Sequence, residues 1–181
     1  HIQLLHQKIY SNLLYLYYRK KLNKTNIVLL GFPGAGKSTI RKQLANKLQY
    51  TFIDTDRYFE EKYRFSIFDF FEQIGEDMFR QLEHQLLNDL LNRKQCVIAT
   101  GGGTPCFFDN MEQIKRSSIS VYIQLSPTSL YHRLQNSKRR RPLTKNLNSE
   151  ELNRYILEEL TKREIFYKQS DFIIKGENFD L

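Results

Sequence analysis

Tryptophan is absent from this 181-residue chain, and cysteine is represented only by Cys96 and Cys106. Two cysteines cannot build a disulfide framework, and neither has a partner at metal-ligand spacing. The four histidines (His1, His6, His84 and His132) are scattered, which excludes the usual pattern of a structural zinc site. A reducing, cytoplasmic setting is therefore expected. No stretch reaches the roughly 18 uninterrupted apolar residues of a membrane-spanning helix, so no membrane partner is expected. Internal repeats and long low-complexity tracts are missing too, and the length suits one domain with an appendage. Glycine is scarce, at eight residues, yet three stand consecutively in "CVIATGGGTPC", residues 96–106. Three adjacent glycines give up backbone entropy with no side chain to pack in return. Something must approach that backbone closely.

What is present is ordinary for a soluble globular protein: 40% hydrophobic and 27% charged residues. Thirteen Phe and eleven Tyr supply large core side chains. The net charge of +8 is uneven, being concentrated in residues 1–26 and 115–168. A basic balance fits nucleic acid, or a region that closes over a small polyanion. The basic residues lack interleaved aromatics, which favours the small polyanion; no nucleic-acid partner is expected.

Residues 1–25 differ from the rest. They carry no acid, and Leu4, Leu5, Ile9, Leu13, Leu14, Leu16 and Tyr17 recur at roughly helical spacing. Three readings fit this basic amphipathic extension: a peripheral or non-native helix, a targeting segment, or an interfacial membrane helix. From Asn26 the pattern becomes regular. Strands are expected at "NIVLLG", "YTFID", "QCVIAT", "SISVYIQL" and "DFIIK". Helices are expected over residues 37–48, 55–64, 66–74, 76–92, 127–136 and 149–169. Strands alternating with helices indicate an α/β domain, residues 26–181, with a parallel sheet covered on both faces.

"GFPGAGKST" matches G-x-x-x-x-G-K-[ST] between a strand and a helix. Its glycines let successive backbone N–H groups converge on one anion at a helix N-terminus. Gly34, Ala35, Gly36, Lys37, Ser38 and Thr39 are the expected nucleoside-triphosphate contacts. Lys37 reaches the β- and γ-phosphates, and Ser38 supplies a hydroxyl for Mg²⁺. "FIDTDRYFEE" puts Asp54 and Asp56 at the end of the second strand, where ligands bind in open parallel sheets. Two residues apart on an extended segment, they point to one side. One suits the Mg²⁺ environment, and the other suits orienting or deprotonating a hydroxyl. The simpler alternative is that Asp56 only caps the following helix.

Arg80 and Glu83 lie at i and i+3 on one helix face. That spacing fits a solvated surface pair, the commoner case. It also fits a guanidinium held ready to receive a carboxylate bidentately. "NSKRRRPLTKN", residues 136–146, is a basic tip bounded by helices. It reads as a solvated loop, as a nucleic-acid patch, or as a lid that neutralises charge during phosphoryl transfer.

Taken together, these motifs resemble the shikimate kinase family. The family pattern is carried by the P-loop at residues 31–38, by Asp54-Thr55-Asp56, and by "GEDMFRQLE" at residues 75–83. It continues through Gly101-Gly102-Gly103, Arg141-Pro142-Leu143 and Arg163-Glu164-Ile165-Phe166-Tyr167. The resemblance implies the nucleoside-monophosphate-kinase-like P-loop fold: three layers, with a five-stranded parallel sheet ordered 2-3-1-4-5. It implies transfer of the γ-phosphoryl of MgATP to the 3-hydroxyl of shikimate by a monomer. Catalysis would fall to Lys37, Asp56 and Arg141, with Arg133 packing on the adenine and Arg141 reaching the phosphates. Asp56, Arg80, Glu83, Arg163 and the three glycines would hold the acceptor; Ser38 and Asp54 would serve Mg²⁺. On this reading Gly102 donates its N–H to the acceptor, and a Cβ there would occupy acceptor space. Gly102→Ala should then raise the acceptor KM more than the ATP KM.

The family usually continues beyond the fifth strand into a final helix. One sheet face is therefore expected to be under-covered, unless the stripe of Leu4, Leu13 and Leu16 packs there. The rival readings are a gluconate or nucleoside-monophosphate kinase of the same fold, and a non-catalytic nucleotide-binding module.

Overall fold

The computed structural model describes residues 24–137, 144 and 147–178. The expected extension lies outside them save for its last two positions. So does most of the basic tip, including Arg141. The expectation that Leu4, Leu13 and Leu16 cover the sheet likewise falls outside the described residues.

The run "NIVLL" forms β1 (Asn26–Leu30), with all five residues buried. A strand buried on both faces must be apolar throughout, which is why this stretch shows no alternation. It occupies the centre of a five-stranded sheet in the order β2-β3-β1-β4-β5. The other strands are β2 (Thr51–Asp54), β3 (Cys96–Ala99), β4 (Ser118–Gln124) and β5 (Phe172–Lys175). All four pairings are parallel, and β1 is fixed on both sides by Ile27↔Val97 and Ile27↔Ile119. The expected order and direction are those observed.

The helices are α1 (Lys37–Leu48), α2 (Thr55–Tyr63), α3 (Ile67–Gln73), α4 (Glu76–Leu91), α5 (Asn110–Ser117), α6 (Pro127–Gln135) and α7 (Ser149–Tyr167). Helix α1 packs against β1, β2 and β3, and α5 packs against β4. Helix α4 buries Phe79, Leu86, Leu87, Leu90 and Leu91, the spacing of one helical stripe. Helix α7 starts at a capping box, in which Asn148 accepts from the Glu151 N–H and Glu151 accepts from the Asn148 N–H. Among the described residues, no helix is long and apolar enough to cross a membrane.

Sequence reasoning missed α5. Its one apolar pair, Met111 and Ile114, is buried one turn apart, too little signal to stand out in a polar stretch. A second correction concerns Asp56. The strand ends at Asp54, which is itself the N-cap of α2 and accepts a hydrogen bond from the Arg57 N–H. Asp56 sits in the first helical turn, not on an extended segment, and it is not the cap. Its charge is favoured there by the helix N-terminus.

Candidate active site

The C-terminal ends of β1, β2 and β3 open onto a cleft of about 410 Å³. On one side lies the loop between β1 and α1. Gly34 and Gly36 adopt φ of 87° and 91°, a left-handed conformation that side chains with a Cβ rarely take. Gly36 caps α1 without a side-chain hydrogen bond, and the first turn of α1 holds no acid. A helix N-terminus of this kind favours an anion. Lys37 is buried, and its ammonium arches back to donate to the carbonyls of Gly31 at 2.6 Å and Phe32 at 3.0 Å.

The Ser38 hydroxyl donates to Asp54 Oδ2 at 3.1 Å. Together they offer the hydroxyl and carboxylate oxygens that a hard cation takes. Among the described residues, no three His, Cys, Asp or Glu side chains gather as a dedicated metal cage. Mg²⁺ keeps several waters and takes substrate phosphates for its other ligands. The donor set fits the ion.

The far side of the cleft is built from two buried arginines. Arg80 donates from Nη1 to Glu83 Oε2 at 2.8 Å, and from Nη2 and Nε to Glu76 Oε1 at 2.8 and 3.0 Å. Its side chain is 7% exposed and that of Glu83 5%, so the solvated surface pair that the spacing allowed is not what forms. The guanidinium carbon lies 4.2 Å from the centre of the Phe107 ring, a cation–π contact. Glu83 is held from behind by the fully buried Thr104, whose hydroxyl donates at 2.5 Å. Arg163 is arranged the same way on α7. It donates to Glu159 Oε2 at 2.8 and 3.1 Å and to the Tyr155 hydroxyl at 3.4 Å, and it lies over Phe32. Burial raises the Glu159 carboxyl, but hydrogen bonds from Lys162 and Arg163 outweigh it and leave the group below its usual value. Burial pushes the nearby Cys106 thiol up to about 11, so it stays a protonated, unreactive packing group.

The three glycines line the cleft between these two sides. None has a positive φ, so a turn that only glycine can make is not the reason for them. A Cβ on Gly101 would lie 2.8 Å from Asp56 Oδ1, and one on Gly102 would lie 2.4 Å from Pro33 Cδ. On Gly103 it would lie 2.7 Å from Arg80 Nη2. What approaches this backbone is the protein's own phosphate loop, carboxylate and guanidinium. That corrects the expectation for Gly102→Ala. Because Pro33 belongs to the phosphate loop, the variant should raise KM for the phosphate donor as well as for the acceptor, each by about tenfold or more. Steady-state kinetics with each substrate varied in turn would show it, and an effect confined to the acceptor would contradict the packing argument.

The cleft thus gathers Gly34, Gly36, Lys37, Ser38, Asp54, Asp56, Arg80, Glu83, Arg163 and the three glycines. Ala35 is buried beneath the loop. Arg133 does not line the cleft; its Nη1 sits 3.5 Å from the Ala35 carbonyl. Thr39 lies in the first turn of α1, and Arg141 is outside the described residues. Glu76, Thr104, Phe107, Tyr155 and Glu159 were not singled out from sequence. Glu76–Arg80 and Glu159–Arg163 could have been, as i, i+4 pairs.

A phosphate loop at the C-terminal edge of a 2-3-1-4-5 sheet, facing a second polar pocket across one cleft, defines a P-loop phosphotransferase. The family model described as shikimate kinase matches residues 33–180. Shikimate kinase of Phocaeicola vulgatus is 39% identical over 156 residues, covering 86% of this chain and 89% of that protein. That of Azobacteroides pseudotrichonymphae is 43% identical over 148 residues, covering 81% and 87%. Among solved structures, shikimate kinase from Bacteroides thetaiotaomicron aligns with a TM-score of 0.81 at 38% identity, covering 84% of this chain and 87% of that one. Shikimate kinase from Acinetobacter baumannii in complex with shikimate aligns at 0.77 and 35%, covering 84% and 83%. The chain belongs to the shikimate kinase family.

Proposed function

We propose that this chain transfers the γ-phosphoryl group of ATP to the 3-hydroxyl of shikimate, giving shikimate 3-phosphate and ADP. The observation that carries the reading is the pair of buried arginines, Arg80 and Arg163, lining the same cleft as the phosphate loop. Shikimate is a small polyhydroxylated ring bearing a carboxylate. Two buried guanidiniums suit that carboxylate, while Asp56 beside Gly101 suits its hydroxyls.

Phosphoryl transfer asks the protein mainly for positioning and charge neutralisation. The N–H groups of residues 34–38 cradle the phosphates, and Lys37 leaves the Gly31 and Phe32 carbonyls to reach the β- and γ-oxygens. Ser38 and Asp54 would hold Mg²⁺, which when bound neutralises phosphate charge. Asp56 accepts the hydrogen bond of the attacking hydroxyl, orients it, and takes its proton as transfer proceeds. Glu83 keeps Arg80 in place and reaches the substrate hydroxyls. Gly102 and its neighbours line the acceptor pocket. Arg133, beside the phosphate loop at the Ala35 carbonyl, is assigned to the adenine, and Arg141 to the phosphates.

The reading takes the enzyme as a monomer. The reading sets the enzyme in the cytoplasm, where Cys96 and Cys106 remain thiols. Residues 26–181 are read as the catalytic domain and residues 1–25 as an extension to it. The product tests the chemistry. Phosphorus NMR of a shikimate and MgATP reaction should show one new monoester coupled to the proton on carbon 3. A monoester at another hydroxyl would overturn the assignment.

A further inference from the structure

We propose that Tyr167 is a positioning residue for the acceptor: its phenol fixes the Gly102 carbonyl so that the Gly103 N–H is presented to the cleft. The proposal rests on the functional reading above. Tyr167 closes the Arg-x-x-x-Tyr motif one helical turn after Arg163, and nothing in the chemistry so far uses it. It is fully buried, and burial holds its hydroxyl protonated, well above the ordinary tyrosine value. That hydroxyl donates to the Gly102 carbonyl oxygen. The ring is packed on Tyr122, with centroids 5.0 Å apart, and Tyr122 is tied to Glu164 Oε1 at 3.0 Å. The phenol oxygen also faces the Arg163 guanidinium, a donor, which leaves the hydroxyl hydrogen for the Gly102 carbonyl.

In a trans peptide the C=O and the following N–H point in opposite directions. Drawing the Gly102 oxygen toward Tyr167 turns the Gly103 N–H away from it. Residues 101–103 line the cleft. Within the described residues, the Gly103 N–H has no protein acceptor, whereas the Gly101 N–H is taken by the Thr55 hydroxyl at 3.0 Å. The Gly103 Cα also stands against the Arg80 guanidinium. One rigid peptide and one guanidinium thus offer donors to the same acceptor group. Helix α7 contributes twice, through Arg163 directly and through Tyr167 by way of the backbone.

Tyr167→Phe removes only the hydroxyl. Shikimate Kd by calorimetry without nucleotide, and shikimate KM, should each rise by about 3- to 10-fold, the worth of one hydrogen bond. KM for ATP should stay within about twofold, and the Gly103 amide resonance should move in the unliganded variant. Tyr122→Phe is the comparison: it removes a hydroxyl one layer away and should lower Tm without separating the two KM values. Unchanged shikimate affinity in Tyr167→Phe, or parallel weakening of both substrates, would overturn the proposal. If the unsubstituted chain binds no shikimate, the functional reading falls instead. The positioning claim is then judged by the Gly103 amide alone, and an unmoved resonance refutes it.

Discussion

Replacing Arg80 by lysine is expected to cut kcat/KM for shikimate by about 100-fold, while KM for ATP changes less than about twofold. Lysine keeps the positive charge, so the prediction isolates geometry. The guanidinium uses separate edges for Glu76 and Glu83, at 2.8 Å each, and lays its face on Phe107. An ammonium has no plane and no fork. It would satisfy one carboxylate and leave the other, in a pocket where Arg80 and Glu83 are almost wholly buried. Breaking such a buried pair outright costs on the order of 3–5 kcal/mol, and about 100-fold corresponds to slightly less than that range. Steady-state kinetics with each substrate varied will show the split, alongside Tm to register lost stability. A variant with near-normal shikimate kinetics would return Arg80 to a purely structural role.

Asp56→Asn is expected to lower kcat by about 100- to 1,000-fold, with a smaller effect on shikimate KM. Asparagine keeps the shape and can still accept one hydrogen bond from the acceptor hydroxyl. It loses the charge, and with it the ability to take the proton. The side chain stands at the first turn of α2, against Gly101, and asparagine has the same size and shape as aspartate. Rapid-quench measurement of the transfer step will separate chemistry from product release. Retention of most of the rate would show that Asp56 only orients the hydroxyl, with proton transfer handled without it.

Legibility in the sequence followed the distance over which each feature is encoded. The phosphate loop is nine contiguous residues at fixed spacing, and the central strand is an unbroken apolar run; both could be read directly. The alternation of strands and helices likewise showed a parallel sheet, whereas its order, 2-3-1-4-5, came from the family resemblance and not from the pattern. The burial of Arg80 could not be read that way, because its stacking partner Phe107 and the prop Thr104 come from the far side of the third strand. The triple glycine shows the same limit. Its neighbours Pro33, Asp56 and Arg80 come from three separate segments, so their crowding appears only in three dimensions. Asp54 and Asp56 both line the cleft, though the extended segment expected to align them is not what forms. A helix starting one residue after Asp54 brings them to one cleft as well as a longer strand would have. Helix α5 was missed because two apolar residues in eight barely register as a period.

The most direct measurement is ADP release from MgATP by this chain, with shikimate, gluconate or AMP as the acceptor. Gluconate shares a carboxylate and hydroxyls without the ring, and AMP tests the commonest alternative acceptor of the same fold. Release that depends on shikimate, and that stays at the acceptor-free rate with gluconate and AMP, is the predicted result. Release driven equally well by gluconate or AMP, or none with shikimate from a folded sample that binds ATP, would contradict it.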